Sequence, residues 1–426
     1  MTETPVKEQK RPDCPLMRKH KAVLSPVSNS FSLLNNSLDI ITLPSGWQIN
    51  TFTSLTEGKT YWEQLSGSDD FFLSGDFFSL IDEIDLKGVT TGFAIFEHPN
   101  HNCFGLVLQS FSFNPEEQMG KLDQNDQYGR FQRLAKRAKD VLAKTLRFRI
   151  LSLGQLLLTG NHGIRGDYEL STSELTTLLA EGSEAIARIW PEHIHGIMIK
   201  DLPLDQHPEA HAYHPLPVQP NMVLHLDPNW SKFNDYLDAM SSKYRVRARR
   251  ARKKGDELIR RKLSLEEIKE RQAEMHRMYC IIAEQSDFNA VVLPPHYFTS
   301  WQEQFPDKFK VWGYFLGEEF IGFSTAVYNG KELEAHFLGF EADYNRSNQL
   351  YLNMLYDLVQ EAIIAGSKEL IFSRTALEIK SSVGAVAEDL YCWMRARYTL
   401  VNPLVPIVAK FIAPLPEWEP RHPFKD

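Results

Sequence analysis

The chain has 426 residues, of which 43% are hydrophobic and 24% are charged, an ordinary composition for a globular protein. At roughly 100–200 residues per domain, this length predicts about two or three domains. The formal net charge of −8 excludes a molecule that binds polyanions over its whole surface, so any basic binding surface has to be local. The cysteines are few and far apart, which excludes a CxxC metal knuckle and favours a reducing cytoplasm. They are Cys14, Cys103, Cys280 and Cys392.

The N-terminal residues 1–40 are rich in Pro, Ser, Asn and Lys and show no apolar period, which predicts a flexible arm. We expect no signal peptide, because the first residues lack an apolar core segment. We also expect no transmembrane helix, because the sequence contains no run of about 18 apolar residues. The chain is therefore expected to be cytoplasmic.

The first half of the chain is predicted to contain strand, strand, strand, helix and strand. These elements are 92–97, 104–113, 147–159, 175–189 and 194–200. A capping box formed by Ser171 and Glu174 opens the helix. A polar insert at 114–146, with an extra helix of its own, interrupts the order.

A strand at 221–227 and one long helix at 230–254 are predicted between the two halves. The helix carries a basic run that includes Arg249. This run favours an anion-binding face, for tRNA or a phosphorylated precursor. The alternative is a solvated helix whose charges are paired with acidic neighbours. These neighbours are Asp235, Asp238 and Glu257.

The second half repeats the order strand, strand, strand, helix, strand. The elements are 309–316, 320–328, 332–340, 351–362 and 369–373. Asn329-Gly330 is a strong hairpin signal, because both residues tolerate positive φ. Two halves with one element order predict a duplicated domain. The predicted division is a flexible arm at 1–40, domains at 41–220 and 221–400, with the basic helix (231–254) in the second, and a tail at 401–426.

Three segments resemble the GNAT acyltransferase family. They are KYRVRARRARKKG at 243–255, HFLGF at 336–340, and FSRTALEIKSSVGA at 372–385, in which Lys380 precedes Gly384 by four residues. The resemblance is closer to the double-domain branch of bacteria that includes Fem-type peptidyltransferases. It implies an α/β fold with mixed sheets in two tandem GNAT-like domains. It also implies acyl or aminoacyl transfer to an amine, with acyl-CoA or aminoacyl-tRNA as donor and no metal.

The turn that binds phosphate in the resembled family departs from its usual pattern here. That pattern is Arg/Gln-x-x-Gly-x-Gly/Ala, whereas this chain has Arg346-Ser347-Asn348-Gln349-Leu350-Tyr351, without glycine. Glycines let backbone N–H groups approach a phosphate closely. We expect Arg346, Ser347, Asn348 and Gln349 to open a helix whose amino end still favours an anion. They are the candidate cofactor-binding residues.

The candidate catalytic residues are Glu334, His336 and Lys380. Glu334 and His336 lie two residues apart on one strand, so alternation places them on the same face, where either could take a proton from an amine. The same alternation places Leu333, Ala335 and Phe337 on the opposite, apolar face. Lys380 could hold a phosphate or a developing negative charge. Arg374, which could clamp a phosphate or carboxylate, is with Lys380 and Arg249 a candidate substrate-binding residue.

The most apolar stretch of the chain, 399–415, either packs on the core or contacts a membrane peripherally. The leading functional hypothesis is an N-acyltransferase whose acceptor is a small-molecule or peptide-like amine. Such an enzyme works mainly by positioning two substrates, and needs no metal. The alternative is a non-catalytic protein that uses a degenerate transferase fold to recognise an anionic ligand. A nucleic-acid-binding regulator is a third hypothesis, which depends on the basic run alone.

Overall fold

The computed structural model describes residues 39–53, 55–65, 67–113, 148–202, 208, 211–285, 290–412 and 415–425. Nearly all of the predicted arm and the predicted helix of the insert at 114–146 lie outside these residues. The described residues form two mixed sheets with helices packed on them, which confirms the predicted α/β fold class. In the described part of the chain, no helix has the length and apolar character that crossing a membrane requires.

The first sheet has nine strands. They are β1 (Asp39–Thr42), β2 (Gln48–Phe52), β3 (Val89–His98), β4 (His101–Phe113), β5 (Phe148–Leu153), β6 (Ile164–Arg165), β7 (Gly196–Lys200), β8 (His214–Pro215) and β16 (Cys392–Ala396). Strands β1 to β5 pair in sequence order and antiparallel, and β5 then pairs with β7 in parallel. Strands β3 to β5, the helix Thr172–Ile189 and β7 therefore occur in the predicted order of strand, strand, strand, helix and strand.

The helices of the first half cover this sheet. They are α1 (Leu55–Glu63), α2 (Gly75–Ile84) and the crossover helix α3 (Thr172–Ile189), with a 3-10 turn at Phe71–Leu73. The predicted capping box is present, because the backbone N–H of Glu174 donates to Ser171 Oγ at 3.3 Å and the Glu174 carboxylate accepts from the Ser171 N–H. The buried face of α3 includes Leu175, Leu179 and Ile186.

The second sheet has seven strands. They are β9 (Asn221–His225), β10 (Leu258–Lys262), β11 (Phe309–Leu316), β12 (Glu319–Asn329), β13 (Glu332–Phe340), β14 (Glu369–Ser373) and β15 (Val386–Glu388). Strands β10 to β13 are antiparallel, and β13 pairs with β14 in parallel. The duplicated order of elements is thus present in both sheets.

The remaining helices lie between residues 233 and 412. They are α4 (Phe233–Ala239), α5 (Ser242–Lys254), α6 (Leu265–Glu270), α7 (Gln272–Ala283), α8 (Tyr297–Gln304), α9 (Ala342–Asn348), α10 (Leu350–Ile364), α11 (Leu377–Ser382) and α12 (Val405–Ile412). The prediction of one long helix at 230–254 is wrong. Met240 takes an extended conformation and forms a β-bridge with Phe424, so the chain breaks between α4 and α5.

Besides a hydrophobic cluster that lies mainly within each half, the two halves share one hydrophobic core cluster. Its buried residues come from both halves, and Phe72 and Phe77 pack on Trp301 with ring centroids 6.4 and 5.8 Å apart. The strand β16 lies within the predicted range 221–400 but pairs with β7 of the first sheet. The chain therefore returns to the first sheet after completing the second. The domain boundaries themselves remain a prediction.

The C-terminal tail packs only partly on the protein. Val405 is buried, whereas Leu400 is 94% exposed and Ile407 is 66% exposed. The Asn402 side chain fixes the start of this segment, because it accepts from the Ala396 N–H and donates to the Ala212 carbonyl, both at 2.8 Å. Packing thus accounts for one side of the tail. A peripheral membrane contact of the other side remains a prediction.

A β-bulge interrupts the pairing of β12 with β13. Ser324 pairs with Leu338 and Ala326 with Ala335, so β13 has one residue more than β12 in this interval. The prediction that Phe337 faces away from His336 is therefore wrong, because the bulge resets the alternation. The two rings lie on the same side, with centroids 4.5 Å apart.

The Thr325 hydroxyl stabilises this bulge. It donates to the Phe337 carbonyl at 2.7 Å and accepts from the Phe337 N–H at 2.9 Å. We expect Thr325→Val to lower the free energy of unfolding by about 1–3 kcal/mol, because it deprives two backbone groups of their partner without changing the side-chain shape. Thr325→Ser keeps the hydroxyl and is the matched control. Equal urea denaturation curves for the two variants would show that the hydroxyl does not support the bulge.

Candidate functional site

A cluster of buried and half-buried polar side chains lies where the two halves meet. It consists of Asp70, His162, Asn329, Glu332 and Glu334, which we call the junction cluster. His162 Nδ1 lies 2.7 Å from Asp70 Oδ2, and His162 Nε2 lies 3.8 Å from Glu334 Oε1. Asp70 and His162 belong to the first half, and Glu334 belongs to β13 of the second half. The row of these three side chains therefore exists only because the halves are packed together.

Local structure fixes each member of the row. Asp70 caps the 3-10 turn, because its side chain accepts from the Phe72 N–H at 3.0 Å. Asn329 bridges the halves, since its amide donates to Asp70 Oδ1 at 2.9 Å and its oxygen accepts from the Phe71 N–H at 2.7 Å. The Asp70 carboxylate therefore holds His162 in place towards Glu334.

Electrostatics make Glu334 an unusually strong base for a carboxyl group. Burial is the main cause that raises the pKa of Glu334 to about 8; His162 opposes this rise, and the charges of Glu332 and Asp70 add to it. Burial works against a charged His162, but the hydrogen bond and charge of Asp70, with the charge of Glu334, raise the pKa of His162 above its ordinary value. Burial also raises the pKa of Glu332.

Glu334 lies where two parallel strands part. Strands β13 and β14 pair only from Glu332 to Glu334, opposite Glu369 to Ile371. Beyond this point β13 continues through the bulge to Phe340, and β14 ends at Ser373. The carboxyl group of Glu334, whose side chain is 8% exposed, is thus at the fork between the strands.

His336 lies two residues after Glu334 on β13 and is surrounded by aromatic rings. Its Nε2 is hydrogen-bonded to the Tyr297 hydroxyl at 2.7 Å, and its ring centroid lies 5.1 Å from that of Trp301. Burial lowers the pKa of His336 to about 3. The ring is therefore neutral near pH 7 and is a much weaker base than Glu334, so the two candidates predicted on this strand differ in chemistry.

Lys380 and Arg374 lie at the turn after β14. The Lys380 amine donates to the carbonyls of Phe372 at 2.7 Å, Ser373 at 3.2 Å and Arg374, and burial lowers the pKa of Lys380 to about 7. Arg374 donates to Asp201 and to the Gln219 carbonyl. Both side chains thus support a turn in which Ser373, Thr375 and Ala376 have positive φ. Their roles toward a substrate remain predictions.

The residues of the predicted phosphate turn do not open a helix as expected. Arg346, Ser347 and Asn348 lie at the end of α9, and α10 begins only at Leu350. Gln349 stands between the two helices with φ of 49°, a break that prevents one continuous helix. Arg346 and Ser347 are exposed. Donor binding by these residues remains a prediction.

The candidate substrate-binding residue Arg249 lies outside the junction cluster. Arg249 is exposed on α5, away from the junction cluster in sequence and on another element. Among the residues that the structure describes, no group of His, Cys, Asp and Glu side chains is arranged to hold a metal ion. The structure brings Glu334 and His336 to the junction, and places the remaining candidates at the turn after β14, at the α9–α10 break and on α5.

Sequence reasoning missed Asp70 and His162. Each lies in an irregular segment, and His162 stands between glycines in Gly160–Gly163. The only local signal was Asp70 before the apolar triplet Phe71–Leu73, which is typical of a helix cap rather than of a functional site. Neither residue could be placed beside Glu334 from the sequence, because their proximity depends on how the two halves pack.

No family model matches the chain, and no curated protein matches it. Solved structures similar to it include FemX, with 11% identity over 84% of this chain and 99% of that chain and a TM-score of 0.48. A tandem GNAT protein from the clavulanic acid biosynthesis pathway has 9% identity over 80% of this chain and 93% of that chain, with a TM-score of 0.42. A GCN5-related N-acetyltransferase from Anabaena variabilis has 10% identity over 82% and 72%, respectively, with a TM-score of 0.38.

Proposed function

We propose that this chain transfers an acyl group to an amine, with Glu334 as the base that takes a proton from the attacking nitrogen. One observation carries the proposal: a buried carboxyl group with a pKa of about 8 lies at the fork between β13 and β14. A general base works best when its pKa is close to the working pH. An ordinary exposed glutamate, with a pKa near 4.3, is too weak a base for an amine acceptor.

The reaction balances without a metal or a redox partner. The amine nitrogen attacks the acyl carbon, so that a C–N bond forms. The C–S bond of an acyl-CoA, or the C–O bond of an aminoacyl-tRNA, breaks. Glu334 accepts the proton from nitrogen, and the leaving sulfur or oxygen takes up a proton. Whenever His162 is protonated, its charge beside Glu334 favours the deprotonated, proton-accepting form of that carboxyl group before the attack.

The donor is an acyl-CoA or an aminoacyl-tRNA, and the acceptor is a small-molecule or peptide-like amine. The exposed Arg346 and Ser347 at the end of α9 are our candidates for contact with the donor phosphates. The turn lacks the glycines that bring backbone N–H groups close to a pyrophosphate. This difference favours side-chain contacts over a backbone cradle, and is compatible with either donor.

Product detection by mass spectrometry tests the proposal. The full chain would be incubated with a mixture of primary amines and either acetyl-CoA or aminoacyl-tRNA. We expect a new amide with one of the two donors, and none with the Glu334→Gln variant. The proposal fails if neither donor gives an amide, or if the variant forms as much amide as the original chain.

A second candidate function is binding without catalysis. It is favoured by the internal use of the Lys380 and Arg374 side chains, which already bond the turn after β14 and Asp201. A protein of this kind would keep the transferase fold and recognise an anionic ligand. Thermal melting distinguishes the two: stabilisation by acetyl-CoA supports transfer, whereas a response to polyanions alone supports binding.

A further inference from the structure

We propose that the exposed face of α5 binds the phosphodiester backbone of a nucleic acid. This inference rests on α5 alone and depends neither on Glu334 nor on which donor the proposed transfer uses. The α5 basic face consists of six exposed side chains, which are Lys243, Arg247, Arg249, Arg250, Lys253 and Lys254. Within the described ranges, none of these six forms an ion pair with an acidic side chain.

Two acidic residues near α5 have partners other than the six exposed basic side chains. Asp235 caps α4 by accepting from the N–H groups of Ser231 at 2.9 Å and Lys232 at 3.1 Å. Asp238 pairs with Arg245, which is not one of the six. The remaining basic side chain of the helix, Arg252, bonds Asn353 and Asp357. Among the described residues, ion pairs therefore neutralise Arg245 and Arg252 of the basic run, but none of the six exposed residues.

Helix stability does not explain this arrangement. Cations in the last turn interact favourably with the helix dipole, which accounts for Lys253 and Lys254. Lys243 lies in the first turn, where a positive charge is unfavourable. Pairs of like charge four residues apart, such as Lys243 with Arg247 and Arg250 with Lys254, destabilise a helix further. A bound polyanion removes this repulsion, which the free protein has to tolerate.

The opposite side of α5 is packed against the second half of the protein. Ala248 and Ala251 are fully buried against the core of the second half, and Arg252 ties the helix to α10. At 1.5 Å per residue, 13 residues span about 20 Å, enough for several successive phosphates. Lys243, Arg247, Arg250 and Lys254 recur at helical spacing and form one row along the helix, with Arg249 and Lys253 beside it. Binding therefore does not have to order the helix.

The chemistry of the face favours a nucleic acid over a membrane. A helix that lies on a membrane needs an apolar face to insert, but Val246 is the one large hydrophobic residue exposed on α5. A flat anionic membrane would also face the rest of a molecule whose net charge is −8. A narrow strand can contact the helix alone. Half of the six side chains are arginines, whose planar fork suits phosphate oxygens.

Binding of a fluorescein-labelled, uridine-only RNA of about 16 nucleotides, followed by anisotropy over a range of NaCl concentrations, tests the proposal. The test variant of the full chain is Arg247→Gln, Arg249→Gln, Arg250→Gln. The matched control, Lys87→Gln, Lys331→Gln, Lys368→Gln, removes the same charge from exposed lysines elsewhere. Thermal melting verifies that both variants fold, and the α5 variant is expected to melt no lower than the original chain.

We expect the original chain to bind with a steep salt dependence. With a slope of about −0.7 per phosphate contact, the α5 variant should lose about 2 from the slope of log K against log salt, and about 100-fold in affinity at 0.1 M salt. The control should retain both. Equal losses in the two triple variants, or no RNA binding by the original chain, would overturn the proposal. So would α5-dependent binding to vesicles of equal parts phosphatidylcholine and phosphatidylglycerol in the absence of RNA binding.

Discussion

The Glu334→Gln variant is expected to lose acyl transfer by about 10²–10⁴-fold in kcat/KM, because an amide of the same size cannot accept the proton of the attacking amine. Its fold should be retained, since the side chain fills the same space in the junction cluster. Steady-state kinetics with the donor and acceptor identified by product detection measure the loss. A variant that keeps more than about one tenth of kcat/KM would exclude Glu334 as the base.

Substitutions at two neighbours of Glu334 should shift the pH dependence of kcat/KM in opposite directions. In the original chain, kcat/KM should rise with pH and reach half its plateau near pH 8, where Glu334 loses its proton. Glu332→Gln removes a negative neighbour that raises the pKa of Glu334, so the half-point moves to lower pH. His162→Gln removes a positive neighbour that lowers this pKa, so the half-point moves to higher pH. Equal profiles for all three proteins would contradict the coupling.

The Asp201→Asn variant is expected to lose about 3–5 kcal/mol of the free energy of unfolding. The Asp201 carboxylate is buried between Lys200 Nζ, at 2.6 Å, and the Arg374 guanidinium, and Cys392 Sγ donates to it at 3.2 Å. These partners come from β7, the turn after β14, and β16, so one carboxylate joins both sheets. The amide has a similar size but leaves two positive charges without their counter-charge. Urea denaturation measures the loss.

An exposed ion pair is the matched control for Asp201. The Lys59–Asp76 pair has an N–O distance of 3.3 Å, and the Asp76 side chain is 70% exposed. Asp76→Asn should cost less than about 1 kcal/mol, because solvent screens the pair. If the two variants lose equal free energy, the buried network is not a major source of stability.

The stabilisation that Asp201 provides should also be lost at low pH, as its carboxylate becomes protonated. Burial opposes the charged form, but Lys200 and Arg374 lower the pKa of Asp201 below its ordinary value of 3.8. A lowered pKa gives a contribution that is complete above the unfolded pKa and is lost as the pH falls through the folded one. The difference in stability between the original chain and Asp201→Asn should therefore be constant from pH 7 to about pH 5, and should shrink below about pH 4.

The regular elements of the second half could be predicted from local pattern. The predicted strands 309–316 and 332–340 have the bounds of β11 and β13, and the helix 351–362 lies within α10. Apolar periodicity and the Asn329-Gly330 turn act within a few residues, so the sequence carries them directly. The break at Met240 was missed, because it depends on a bridge to Phe424, far along the chain.

The junction cluster could be predicted only in part. Glu334 and His336 stood out as polar side chains in the middle of a largely apolar strand. Their different pKa values depend on neighbours from the other half, and on the bulge that turns Phe337 to the same side. The basic run of α5 was likewise visible in the sequence. The partners of its acidic neighbours depend on three-dimensional packing: Asp235 caps α4 and Asp238 pairs with Arg245.

Titration by carbon-13 NMR measures the pKa of Glu334 in the free protein, so it needs neither donor nor acceptor. The chain would be labelled at the glutamate side-chain carboxyl carbons, and the signal of Glu334 identified by its absence from the Glu334→Gln spectrum. We expect a titration midpoint of about 8. A midpoint near the ordinary glutamate value of 4.5 would contradict the claim that the junction of the two halves creates a base for acyl transfer.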